Sequence, residues 1–168
     1  NPNGRFESFP QTLDWRLPTP WEGKVRLLRF NIKTGEKYSY EPFSHHRGGI
    51  IAPPLIIAKH KLCIVWDSIN GGIAGISYDN YKFKKNWEIN IRPTMQPVYF
   101  EQSNELVINH FDDKSDHLIV IDVLRGKILS EVNLRTPMAN GMFLTPGFNN
   151  DILYLSLIHI SEPTRRVF

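Results

Sequence analysis

At 168 residues and 41% hydrophobic content the chain is long enough to bury one respectable core. Its longest apolar runs fall far short of the ~18 residues that cross a bilayer as a helix. Cys63 is the single cysteine, which excludes a disulfide framework, and a formal net charge of +3 gives no case for a nucleic-acid partner. The sequence starts at Asn1 without a methionine or a signal or transit pattern, so localisation is not legible.

Residues 1–23 carry Pro10, Pro18 and Pro20 around Trp15 and Trp21 and show neither helical nor strand period. They are expected to form an extended arm, its tryptophans plugging gaps in the scaffold or serving as a recognition peptide. Arg26 to Glu36 then reads as a strand followed by a glycine turn at Gly35. His45-His46 falls in a loop without the acidic partners of a metal site.

From Pro54 the pattern becomes regular. Pro54–Ala58, a turn at Lys59–Lys61, Leu62–Trp66, a turn at Asn70–Gly72 and Ile73–Tyr78 predict three strands. Asn80–Lys85 is expected to turn before a fourth strand, Asn86–Ile91. Asn70-Gly71-Gly72 lacks dinucleotide-binding spacing and a following helix, so it reads as a strand connection. The lysines and aromatics of Tyr81–Trp87 read as a solvated outer turn. Cys63, in a central strand, is expected to be a buried thiol.

The stretch from Met95 to Leu134 repeats this order: Pro97–Phe100, a turn at Glu101–Asn104, Leu106–Phe111, a turn at Asp112–Asp116, Leu118–Val123, a turn at Arg125-Gly126, and Lys127–Leu134. Pro54 matches Pro97 and Ile91 matches Leu134 at a period of about 43 residues, with Lys61-Leu62 aligned to Glu105-Leu106. His110, Asp112, Asp113, Asp116 and His117 lack the glycine and terminal glutamate of a calcium loop and read as a solvated turn. Gly141–Leu144 and Asp151–Tyr154 begin the order once more. Four antiparallel strands in about forty residues, recurring in phase, predict an all-β chain: an incomplete β-propeller with about two full four-stranded blades and parts of two others, spanning 24–156.

The three inter-blade connections begin at Arg47, Arg92 and Arg135, and Met95 recurs as Met138. Equivalent side chains should stand around one mouth of the channel, where Arg47, Arg92 and Arg135, with Met95, Gln96 and Asn140, would suit a carboxylate or phosphate ligand. The alternative is that each arginine pairs with a neighbouring blade and locks it. Substituting Arg92 separates the two: lost ligand binding with an unchanged fold favours the ring, and misfolding the lock. No metal-ligand spacing and no nucleophile elbow is present.

Asn31-Ile-Lys-Thr-Gly-Glu-Lys37 and Asp122-Val-Leu-Arg-Gly-Lys-Ile128 resemble the turn between the last two strands of quinoprotein-like β-propeller repeats, of the pyrroloquinoline-quinone and YVTN types. The tryptophan this family carries at the end of the fourth strand is missing after both turns. The resemblance implies a scaffold that hosts binding modules and enzymes alike. The expected function is a binding or scaffold module holding an anionic small molecule or a protein partner at the channel mouth or a blade edge. The alternative is a quinone-dependent dehydrogenase, or a lyase or hydrolase acting on an anionic substrate; no cofactor is assigned.

Leu155 to Arg165 resembles a translated transposase-type sequencing adapter, which makes 157–168 an expected non-native tail and the chain a fragment of metagenomic type. The remaining blades of the full-length protein would then be its missing partners. Alone, the chain should expose apolar blade flanks and unpaired strand edges and self-associate or stay partly ordered.

Overall fold

The computed structural model describes residues 24–45, 53–79, 82–94, 96–135, 143–149 and 151–155. The expected arm at 1–23 and tail at 157–168 lie outside them. Twelve short strands occur in these residues: β1 Leu27–Phe30, β2 Lys37–Tyr40, β3 Leu55–Ile57, β4 Leu62–Trp66, β5 Ile73–Asp79, β6 Lys82–Ile89, β7 Val98–Phe100, β8 Glu105–Phe111, β9 Asp116–Asp122, β10 Lys127–Asn133, β11 Phe143–Pro146 and β12 Ile152–Leu155. Strands β3–β6 form one antiparallel four-stranded meander and β7–β10 a second, flanked by the two-stranded sheets β1–β2 and β11–β12. The described residues form two four-stranded antiparallel sheets and two two-stranded ones in sequence order, as in an incomplete β-propeller: two whole blades and parts of two others.

Alternation within each strand explains why the blades stack. On β4, Leu62, Ile64 and Trp66 point to the second blade, while Cys63 and Val65 point to the β1–β2 hairpin, so every residue of the strand is buried. The larger core lies between the two whole blades, where Ile57, Leu62, Ile64, Trp66 and Ile73 meet Leu106, Ile108, Ile119, Ile121 and Val123. A smaller one joins Phe43, Cys63, Val65, Ala74 and Ile76 to Val25, Leu27 and Tyr40 of the hairpin. Outer strand β10, by contrast, is exposed along its whole length.

Matching turns set the repeat. Lys61 (φ 49°) and Asn104 (φ 56°) both take the left-handed conformation at the first hairpin. They fix the register one residue away from the sequence alignment: Lys61 corresponds to Asn104, not Glu105, and Leu55 opposite Ile64 corresponds to Val98 opposite Val107. At the second turn, Asp67 Oδ1 accepts from the amides of Ile69 and Asn70, and Asp112 Oδ1 from those of Lys114 and Ser115. At the third, Asn31 Oδ1 accepts from Lys33 and Thr34 and Asp122 Oδ1 from Leu124 and Arg125, with Gly35 and Gly126 closing each turn at positive φ.

Strand β6 departs from expectation. It begins at Lys82, opposite Asp79, rather than at Asn86. Phe83 packs into the smaller core, so the lysine-rich stretch is an outer strand with one inward anchor and not a turn. A bulge between Gly75 and Ile76, repeated in the second blade between Ile128 and Ser130, leaves Asn86 and Leu129 unpaired. It sets Trp87 opposite Gly75.

Trp87 is the joint between the whole blades. Its indole covers Gly75 of its own blade and Gly126 of the next, and a Cβ at either glycine would overlap the ring. Its Nε1 donates to the buried carbonyl of Val123, 2.8 Å away, so the buried ring spends its polar atom across the interface.

Candidate functional site

Four chain segments converge at one end of the second blade: the connection that carries Arg92, the β8–β9 turn, the start of β9 and the end of β10. Pro93 and Ile91 are buried and hold the connection against the blade. The Phe111 amide donates to the Arg92 carbonyl at 3.1 Å, and the Arg92 amide donates to His110 Nδ1 at 2.9 Å. That second bond leaves the proton of a neutral His110 on Nε2.

The Arg92 guanidinium lies 4.9 Å from the centroid of Phe111 and pairs with Asp113 of the following turn. It is therefore engaged by the blade it leads into. His45 makes a similar clasp one blade earlier, with Nε2 2.8 Å from the Gly71 carbonyl of the β4–β5 turn. Arg135 differs. It is exposed, its amide donates to Asn133 Oδ1 at 2.7 Å, its backbone is left-handed (φ 54°), and its guanidinium has no partner among the described residues. Gln96 is exposed on the same connection as Arg92. Arg47, Met95 and Asn140 lie outside the described residues.

Beneath this rim is a polar network. Buried Asn109 accepts from the Thr94 amide through Oδ1, at 3.2 Å, and donates to Thr94 Oγ1 and to the buried carboxylate of Asp116. The network ties the connection to β8 and β9, and burial strengthens it by excluding water. Asp112 is held well below the ordinary carboxylate value, at about 2, first by the Ser115 and Lys114 amides and then by His117.

His117 is the most crowded group. Its ring lies 5.8 Å from that of His110. Its Nε2 lies 3.1 Å from Asp112 Oδ2 and 3.2 Å from Ser115 Oγ, while Asn133 Nδ2 donates to Ser115 Oγ at 2.9 Å. Glu131 Oε1 is 2.6 Å from Nδ1 but outside hydrogen-bonding alignment, so that contact is ionic and its worth depends on the charge of the ring. One Nε2 can donate to Asp112 or accept from Ser115, not both at once. The sequence reading took His110, Asp112, Asp113, Asp116 and His117 for a solvated turn, whereas Asp116 is buried and accepts from Asn109. The register that brings Glu131 and Asn133 of β10 beside them was the missing information. Among the described residues no group of three or more His, Cys, Asp or Glu is arranged to hold a metal ion.

A separate cavity of about 150 Å³ lies between the β1–β2 hairpin and the first blade, lined by Val25, Leu27, Pro42, Pro54, Val65 and Trp66 among others.

No protein-family model matches this sequence, and no curated protein matches it. A crystal structure from Bacteroides fragilis assigned as a 6-phosphogluconolactonase is similar, with a TM-score of 0.47 and 12% identity over 76% of this chain. The chain spans 40% of the length of that structure.

Proposed function

We propose that the chain is part of a propeller-type binding module whose ligand or protein partner sits on the end of the blades where the inter-blade connections and the β8–β9 turn meet. The observation that supports it most is the division of labour between two equivalent arginines. Arg92 is claimed by Asp113 and Phe111 and serves as a clasp, whereas Arg135 is exposed and unclaimed among the described residues. A cation held by a fixed backbone at the rim of a rigid network suits a carboxylate or phosphate group, free or on a protein surface. This narrows the arginine ring of the sequence reading to Arg135 as the ligand-facing member, with Gln96 beside the connection. The turns at Asn31–Gly35 and Asp122–Gly126 and the docking of Trp87 on Gly126 support a quinoprotein-like repeat. They bear on the scaffold, not on a cofactor.

Titration of the chain with inorganic phosphate, citrate and a sugar phosphate, followed by amide chemical shifts, tests the reading. Saturable shifts clustered at Arg92–Thr94, Asp112–His117 and Asn133–Arg135, lost in Arg135→Ala, are expected. Shifts scattered over the surface, or unchanged in that variant, overturn it.

The second reading is a propeller enzyme acting on an anionic substrate, favoured by Ser115 Oγ at 3.2 Å from His117 Nε2 with Glu131 at the other ring nitrogen. A hydroxyl, a base and a carboxylate in that order are the elements of an activated nucleophile. Ser115 is nearly buried, however, and Asp112 competes for the same Nε2. Ester or lactone hydrolysis abolished by both Ser115→Ala and His117→Gln would establish catalysis; no turnover, or turnover unchanged in Ser115→Ala, removes it.

A further inference from the structure

His117 meets a carboxylate at each ring nitrogen. Strand pairing sets it between His110 on β8 and Asn133 on β10, and Glu131, two residues along β10, projects from the same face as Asn133. Asp112 Oδ2 lies 3.1 Å from Nε2 and Glu131 Oε1 2.6 Å from Nδ1. The side chain is 13% exposed, and Nδ1 is buried without a hydrogen-bond partner among the described residues. The other charged groups around it are committed elsewhere: Arg92 and Asp113 pair with each other, and the Asp116 carboxylate accepts from Asn109. His110 takes up a second proton only by losing the bond from the Arg92 amide to its Nδ1. A proton arriving at this cluster therefore goes to His117.

The same ring is linked to Arg135. The Arg135 amide donates to Asn133 Oδ1 at 2.7 Å, and Asn133 Nδ2 donates to Ser115 Oγ at 2.9 Å and lies 3.3 Å from His117 Nε2. With the ring neutral, the Ser115 hydroxyl donates to Nε2 across 3.2 Å and completes the chain, while Asp112 and Glu131 leave two uncompensated negative charges beneath the rim. With the ring protonated, Nε2 donates to Asp112 instead, Nδ1 faces Glu131 as an ion pair, and one of those charges is cancelled.

We propose that His117 makes anion binding at Arg135 proton-dependent: the protonated ring offsets the carboxylates on either side of it, and a carboxylate or phosphate group is held more tightly as pH falls. The inference rests on the reading of Arg135 as the ligand-facing cation and adds the regulation of that site. Linkage makes it reciprocal, so a bound anion raises the proton affinity of His117 by the same factor. Solvent screening at the exposed Arg135 keeps the factor at the low end of the usual range, about fivefold to tenfold across the window in which histidine titrates. Asp112, held at about 2 by the Ser115 and Lys114 amides, stays ionised throughout it.

Sulfate keeps one charge across this window and is the probe. The full 168-residue chain is titrated with it at about pH 5 and about pH 8 and constant ionic strength, following the Arg135 amide and the His117 ring resonances. Affinity about fivefold to tenfold higher at the lower pH is expected, with the His117 titration displaced to higher pH by saturating sulfate. His117→Gln should hold the affinity at one value across the window. Glu131→Gln, a change at an exposed side chain, should move the rise in affinity to lower pH. His60→Gln, in the β3–β4 turn, should alter neither. Saturable binding of equal affinity at both pH values overturns the inference and leaves the anion site standing, as does a pH dependence that survives His117→Gln. No saturable binding at either pH removes the anion site and the inference with it.

Discussion

Trp87→Ala, Gly126→Ala and the double variant form a cycle that measures the joint between the whole blades. Trp87 is buried, so its truncation removes a large apolar area, leaves a cavity and strands the Val123 carbonyl without its donor. Substitutions of that kind cost about 3–5 kcal/mol. Gly126→Ala should cost about 2–4 kcal/mol, the sum of a left-handed backbone and a methyl group driven into the indole. Once the indole is gone only the backbone strain remains, so Gly126→Ala should cost about 1 kcal/mol in the Trp87→Ala background. The coupling is then about 1–3 kcal/mol. Urea unfolding followed by circular dichroism at low micromolar concentration measures it. With a slope of about 1.5 kcal/mol/M, Trp87→Ala should lower the midpoint by roughly 2–3 M. Equal costs of Gly126→Ala in the two backgrounds would refute the joint, and so would a Trp87→Ala cost under about 1 kcal/mol.

Burial raises the Cys63 thiol to about 11, so it should resist alkylation at pH 8 and react at once in guanidinium; rapid labelling of the native chain would contradict its place between hairpin and blade. Asp112, depressed to about 2 by backbone amides against an ordinary value of about 4, adds stability that is complete above pH ~4 and is lost as pH falls toward 2. Asp112→Asn should flatten the dependence of the urea midpoint across that window, and an unchanged slope would count against the turn geometry. Arg92→Ala should speed amide exchange at Lys114 and Ser115 while costing only about 1 kcal/mol, because its ion pair is partly solvated. The open flank and the exposed edge strand β10 should make the apparent mass of the chain rise with concentration in light scattering, and Phe30→Lys with Ile32→Lys should suppress the rise. A sharp cooperative melt of a monomer at every concentration would contradict this.

The strands were legible wherever alternation or a β-branched run met a turn of Asn, Asp or Gly. Both four-stranded blades and their repeat follow from that alone, because two-residue periodicity and side-chain-to-backbone turns are local. Lys82–Lys85 was misread because a lysine-rich outer strand has the composition of a loop, and only the packing of Phe83 separates the two. The joint at Trp87 was hidden for a different reason. Its parts, Gly75, Trp87, Val123 and Gly126, belong to two repeats, and a bulge sets their phase. The arginine pattern was visible, but not that Arg92 turns to Asp113 while Arg135 does not, since that depends on the loop between β8 and β9. Glu131 and Asn133 were missed as members of the polar cluster because pairing of β10 with β9 brings them there from fourteen or more residues away.

The split of the indole and its glycine between successive units gives the ring a direction of assembly. At the joint between the whole blades the first unit supplies the plug, Trp87, and the second the socket, Gly126, so the two partners of the contact are not interchangeable.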